Sequence, residues 1–211
     1  MPTFPEPPAV HILRSIQPDL RQLAQGTRLW RVYFRAGRYP SVWYEFRRFG
    51  PLSTARFDHH EPDAAGNPWS QDRAILYAAL QGPTCIAEVF QSTRIIDRHA
   101  RSPWLVAFST TRDLVLLDLC STFPTRAGAS MAINTGPRPR AQRWARAFYE
   151  AYEIDGVIYP SSMYGNEPAV ALFERSQNAL PRTPGFHRAL ADPALQRRLV
   201  ATARDIRYDW L

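Results

Sequence analysis

Three polar side chains interrupt apolar runs in this chain. Arg31 stands in LWRVYF (29–34), Glu88 in CIAEVF (85–90) and Tyr77 in AILYAA (74–79). An ionised group inside an apolar run is costly to bury unless it is paired or faces a cleft. An arginine so placed offers a planar fork suited to phosphate oxygens. Taken singly, either charge reads more plainly as the solvated face of a strand or helix. Other chemistries find little support. The sequence contains no Gly-rich phosphate loop, dinucleotide fingerprint, GxSxG elbow or HExxH. Cys85 and Cys120 lack CxxC partners and sit in apolar surroundings, so they read as buried small hydrophobes of a reducing compartment. Asp58, His59, His60, Glu61 and Asp63 could in principle bind a metal. Adjacent histidines on a strand point to opposite faces, however, and the stretch has loop composition. It is read as a solvated loop, and no metal site is expected.

These residues need elements to hold them. Strands are predicted at 29–34, 74–80, 104–109 and 114–119, with the second open to leading into a helix. Gly82-Pro83 breaks the chain, and Thr84 is placed to cap a helix carrying Ile86, Ala87, Val89 and Phe90. A helix over 139–152 follows from the stripe Trp144, Ala147, Phe148 and Ala151. Short strands at 156–159 and 169–173 flank the loop PSSMYGNEP, and a last helix is expected over 187–203. Residues 35–72 and 121–138 look irregular. Residues 1–27 look like an N-terminal arm: Pro5, Pro7 and Pro8 keep it extended. Ile12, Leu13, Ile16, Leu20 and Leu23 then take helical spacing across Pro18. The middle of the chain has more strands than helices and no βαβ alternation, which predicts a single α+β domain on mixed or antiparallel sheets.

Size and charge bound the function. The 211 residues, 45% hydrophobic and 12% aromatic, suffice for one well-filled core. The net charge of +7 comes wholly from arginine, since the chain has no lysine. Such a balance attracts anions. The arginines are scattered rather than clustered, which weakens a nucleic-acid reading. No run approaches the roughly 18 apolar residues of a membrane span. Residues 1–15 lack the pattern of a secretory signal, so a cytoplasmic protein is expected.

The segments LWRV (29–32), ARFD (55–58), ILYAA (75–79), AEVF (87–90) and DGVIYPSS (155–162) together resemble the RES-domain family. The resemblance covers residues 28–180, leaving 181–211 as a C-terminal helical extension packed on the domain. It maps the family's recurrent Arg, Glu and Ser onto Arg31, Glu88 and Ser161. It further implies substrate contacts by Arg56, Tyr77 and Asn166. Where many relatives carry Gly-Gly-Arg-Trp-Asn this chain has TARFD, and Ser162 follows Ser161.

The family implies a fold similar to the ADP-ribosyltransferases, flanked by helices, and a bacterial toxin that depletes NAD⁺. The bond from ribose to nicotinamide breaks with oxocarbenium-like character, so a carboxylate such as Glu88 stabilises the developing charge or readies a nucleophile. Nicotinamide leaves neutral, and no general acid is required. Arg31 and Arg56 would hold the pyrophosphate, Tyr77 would stack on nicotinamide or fix the ribose, and Ser161 would bond a ribose hydroxyl or the amide. Inorganic phosphate or water ranks ahead of a protein side chain as acceptor. Phosphate, water or a protein side chain would make the enzyme an NAD⁺ phosphorylase, a glycohydrolase or an ADP-ribosyltransferase, and the sequence leaves all three open. NAD⁺ is then substrate, with no separate cofactor. The implied partner is an antitoxin, often DNA-binding and Xre-like, with room for a homodimer within a larger complex. The alternatives are an ADP-ribosyltransferase that modifies a protein target and a non-enzymatic basic module that binds nucleic acid or protein.

Overall fold

The computed structural model describes residues 4–211 and builds them on one nine-stranded mixed sheet. The elements, in order, are α1 (Val10–Arg14), β1 (Leu20–Leu23), β2 (Arg28–Phe34), β3 (Arg47–Gly50), β4 (Trp69–Ala79), α2 (Gly82–Val89), β5 (Ile95–Ile96) and β6 (Pro103–Ser109). Then follow β7 (Leu114–Asp118), α3 (Phe123–Arg126), α4 (Arg138–Ala151), β8 (Gly156–Pro160), β9 (Pro168–Phe173), β10 (Phe186–Ala189), α5 (Gln196–Ile206) and β11 (Asp209–Trp210). The strands lie in the order β1-β7-β8-β9-β4-β2-β6-β10, β3 joins β4, and β5 pairs with β11 in a separate ribbon. Within the large sheet β7 and β8 pair in parallel. A parallel pair demands a long crossover, here carrying α3 and α4. The expected α+β class and mixed sheet are what the chain adopts.

Strand alternation gives the sheet two apolar faces. On β4, Ile75 and Ala79 join the cluster under α2 and α4, with Tyr77 packed against it, while Ala74, Leu76 and Ala78 face the opposite cluster. α4 lays Ala141, Trp144, Ala145 and Phe148 on the first face, all fully buried. Burying a large apolar side chain contributes roughly 1.5–3 kcal/mol. Gly156 is required by this packing: a Cβ there would stand 2.3 Å from the Ala171 carbonyl oxygen.

The sheet forks where the site lies. β2 and β4 share one pair, Trp30 with Ala79. The same edge of β4 is then taken by β3, from Arg47 opposite Ile75 to Gly50 opposite Trp69. Arg31 is the first residue of β2 beyond the shared pair.

Several expectations give way. The stretch 1–27, expected as an arm, is built into the fold from residue 4 on. β1 pairs with β7 at the sheet edge, Phe4 is buried in the core, and the Pro5 carbonyl accepts from Trp144 Nε1 at 2.9 Å. The helical spacing there survives as the five residues of α1, because Pro18 cannot continue a helix. The irregular 35–72 region holds β3 and the polar first half of β4. The final helix begins later than expected, after Pro193, and 186–189 form the edge strand β10 instead. α2 starts at Gly82, so Thr84 is no cap; its buried hydroxyl has no hydrogen-bond partner among the described residues.

Candidate active site

Glu88 and Ser161 meet directly. Glu88 lies in the last turn of α2, and Ser161 follows the end of β8. The Ser161 hydroxyl donates to Glu88 Oε1 at 2.5 Å and accepts from the Met163 N–H at 3.2 Å. That pairing spends the hydroxyl's one proton on the carboxylate. Ser161 is fully buried whereas Ser162 is exposed, so the serine in contact with the carboxylate is Ser161. Its loop is closed by the Ser161 N–H on the Glu167 carbonyl and the Asn166 N–H on the Ser161 carbonyl. Gln81, just before α2, donates to Glu167 Oε2 at 2.7 Å and ties the loop to the helix that carries Glu88. Burial pushes the Glu88 carboxyl above its ordinary value of 4.5, and the Ser161 hydroxyl with Arg56 and Arg138 opposes that push.

Arg56 and Tyr77 stand beside this pair. Arg56 is half-buried, donates to the Gly136 carbonyl at 2.5 Å, and is drawn electrostatically to Glu88. Burial lowers its pKa, and the neighbouring Arg138 lowers it further. The Tyr77 hydroxyl accepts from the Phe57 N–H at 3.2 Å and is driven far above its ordinary range, by burial first and by Asp58 next. The segment carrying Arg56 is held from three sides. Besides Tyr77, Gln142 of α4 donates to the carbonyls of Leu52 and Ala55 at 2.6 and 2.8 Å, and Asp58 accepts from the Leu52 N–H at 2.7 Å.

Arg31 flanks the pair without touching it. Its guanidinium donates to the Glu45 carbonyl at 3.0 Å. Burial brings it down to about 10, partly offset by Cys85 and Glu45, so it stays cationic at neutral pH. Cys85, one turn before Glu88 on α2, is coupled to both Arg31 and Glu88, and its thiol is raised by burial to about 12. Asn166 is exposed, and the structure brings its backbone rather than its side chain to the site. It adopts φ 62° beside Gly165 at φ 54°, a left-handed turn that asparagine tolerates.

The stretch Asp58–His59–His60 is not a solvated loop: all three side chains are fully buried. Asp58 accepts from Arg47, from the Leu52 N–H and, in a short contact, from His60 Nδ1. His59 Nε2 lies 3.1 Å from Glu174 Oε2. A Cβ on Gly50 would come within 2.7 Å of the His60 ring, so glycine is needed there. Among the described residues no group of three His, Cys, Asp or Glu side chains could hold a metal ion.

Arg138 and Gln91 complete the surroundings of Glu88 and went unmarked in the sequence. Arg138 NH2 donates to Gln91 Oε1 at 3.3 Å, and Gln91 Nε2 donates to the Glu88 carbonyl at 2.8 Å. A signal existed: an arginine opening a helix opposes the macrodipole and calls for an anion nearby.

A hydroxyl-bound carboxylate with arginines near it, beside a fork in an α+β sheet, combines donors that can bind an anion with a carboxylate that can stabilise positive charge. The profile of the RES domain matches residues 28–205, and the chain belongs to the RES domain family. The match runs past residue 180, the expected end, and takes in most of α5. Among solved structures, a chain of the M. tuberculosis MbcT–MbcA toxin–antitoxin complex shares the fold with a TM-score of 0.58. Its identity is 16%, and the alignment covers 91% of this chain and 96% of that one. No curated protein matches. Among the described residues, no helix is long and apolar enough to cross a membrane.

Proposed function

We propose that this chain cleaves the nicotinamide–ribose bond of NAD⁺, with phosphate or water as acceptor, and acts in the cytoplasm as the toxin of a toxin–antitoxin pair. The observation that carries the chemistry is the Glu88–Ser161 contact, a half-buried carboxylate oriented by a hydroxyl. As the bond to the cationic nicotinamide nitrogen breaks, positive charge grows on the ribose, and the Glu88 carboxylate stabilises it or takes a proton from the incoming nucleophile. Burial raises Glu88 from its ordinary value, so its charge is poorly solvated and responds strongly to a nearby cation. Arg31 and Arg56 serve the pyrophosphate, and the Tyr77 hydroxyl, which accepts from the Phe57 N–H, keeps its proton for the substrate. Family membership and the toxin–antitoxin origin of the solved relative support the toxin reading, and with it a proteinaceous antitoxin.

The test is to incubate purified protein with NAD⁺, with and without inorganic phosphate, and to identify the ribosyl product. Nicotinamide release with ADP-ribose 1″-phosphate marks a phosphorylase and release with free ADP-ribose a glycohydrolase; label retained on protein marks a transferase. No release under any condition removes the enzyme reading. In cells, wild-type expression is expected to arrest growth with NAD⁺ loss, and Glu88→Ala to be harmless.

A further inference from the structure

Ten of the 26 arginines pair with a carboxylate among the described residues. On α4 itself, Arg140 and Arg143 both pair with Glu6, and Arg146 lies 3.6 Å from Glu61. Arg47 is answered by Asp58 and Arg112 by Asp155. Arg56 and Arg138 are different. Neither makes an ion pair among the described residues, yet each is half-buried and each feels the charge of Glu88.

The two cations are also held close to one another. Arg56 donates to the Gly136 carbonyl, two residues before Arg138, and the repulsion between the two guanidinium groups is strong enough to register on Arg56. Arg138 opens α4, where a cation opposes the helix macrodipole. Gln91 holds it there: the amide oxygen accepts from Arg138 and the amide nitrogen donates to the Glu88 carbonyl. Two like charges kept together and partly desolvated, with the one Glu88 carboxylate between them as their anion, leave a net positive charge for an anionic ligand to neutralise.

We propose that Arg138 and Arg56 form a two-arginine clamp for the pyrophosphate of the dinucleotide, with Gln91 as the residue that positions Arg138. This rests on the NAD⁺ reading above and adds to Arg31 and Arg56 a third arginine, Arg138. Each guanidinium has donors left for phosphate oxygens after its one carbonyl or amide bond. The clamp divides the labour. Arg138 recognises the substrate through its phosphates, while Glu88 acts on the ribose.

The experiment compares wild type, Arg138→Ala, Arg138→Lys and Gln91→Ala by calorimetry with inorganic pyrophosphate and ADP-ribose, and by steady-state kinetics with NAD⁺ and nicotinamide riboside, which has no phosphate. Arg138→Ala is expected to weaken pyrophosphate and ADP-ribose binding by about 10- to 100-fold, as for loss of a hydrogen-bonded charge. It should raise KM for NAD⁺ more than it lowers kcat, and the loss of kcat/KM should be at least tenfold larger for NAD⁺ than for nicotinamide riboside. Lysine, a point charge without the fork, restores part of the binding. Gln91→Ala should cost less, and adding it to Arg138→Ala should cost nothing more. Unchanged anion binding in folded Arg138→Ala, or equal losses on both substrates, would overturn the clamp. Wild-type protein that binds pyrophosphate through Arg138 but never releases nicotinamide would instead overturn the NAD⁺ reading and leave the clamp standing. Wild-type protein that binds neither anion at millimolar concentration removes the clamp.

Discussion

Two carboxyl groups of this domain, half-buried Glu88 and fully buried Asp58, both lose solvent yet end with their pKa values shifted in opposite directions. Burial is the largest influence on both. Asp58 receives donors from Arg47, the Leu52 N–H and His60, and falls to about 2. Glu88 receives one hydroxyl and only distant help from Arg56 and Arg138, and it stays above 4.5. The difference is the number of donors at contact distance. A carboxylate surrounded by donors is tied to its framework, and one left short can be answered by a substrate.

The largest effect that tests the contrast is at Glu88. Glu88→Gln keeps the shape and removes the charge, so nicotinamide release should fall about 10³-fold, the scale of a lost catalytic carboxylate. The melting temperature should hold or rise, because an ionised group with a raised pKa weakens the folded state at neutral pH. Activity that survives this substitution would remove Glu88 from the reaction. Asp58→Ala should do the reverse, costing about 3–5 kcal/mol of unfolding free energy in denaturant titrations, since Arg47 and His60 are left without their anion. A loss below about 1 kcal/mol would mean that the donors around Asp58 are replaceable by water.

Acid gives a third, smaller measure. Asp58 has a folded value of about 2 against an ordinary 3.8, so the folded state binds its proton less readily than the unfolded chain. The stabilisation is complete above about pH 4, is lost as pH falls through about 2, and amounts to about 2 kcal/mol. Glu174, also lowered to about 2, acts in the same direction. Denaturant midpoints measured between pH 5 and 2 should fall accordingly, and a flat profile would contradict both. The smallest effect is at Ser161. Ser161→Ala should lower kcat/KM by about tenfold, for one hydrogen bond to a charged group. It should also move the acid limb of the pH–rate profile upward, because the hydroxyl that favours ionised Glu88 is gone. An unmoved limb would leave Ser161 with a packing role only.

The same contrast explains what could be read from the sequence. Glu88, Arg31 and Tyr77 stood out because a polar residue inside an apolar run is a local anomaly, visible without knowing the fold. Strands β2, β6, β7, β8 and β9 were legible for a related reason, being short apolar runs between turn residues. Asp58, His59 and His60 were misread because their burial depends on Arg47, Glu174 and Tyr149, partners that no local window contains. β3 and the first half of β4 have polar faces and were hidden for want of alternation. Arg138 was lost among neighbouring arginines that Glu6 neutralises from the far end of the chain.

The placement of β1 bears on how the protein is handled. A chain trimmed to begin at Arg28, where the family match starts, sheds the strand that covers the outer edge of β7. Leu114, Val115, Leu116 and Leu117 would then present unpaired backbone groups, and such an apolar edge recruits strands from other molecules. The same cut removes Glu6 from Arg140 and Arg143 and the Pro5 carbonyl from Trp144. Fragments defined by family boundaries would therefore aggregate before their chemistry could be assayed, and residues 4–27 belong in any preparation meant to report on the site.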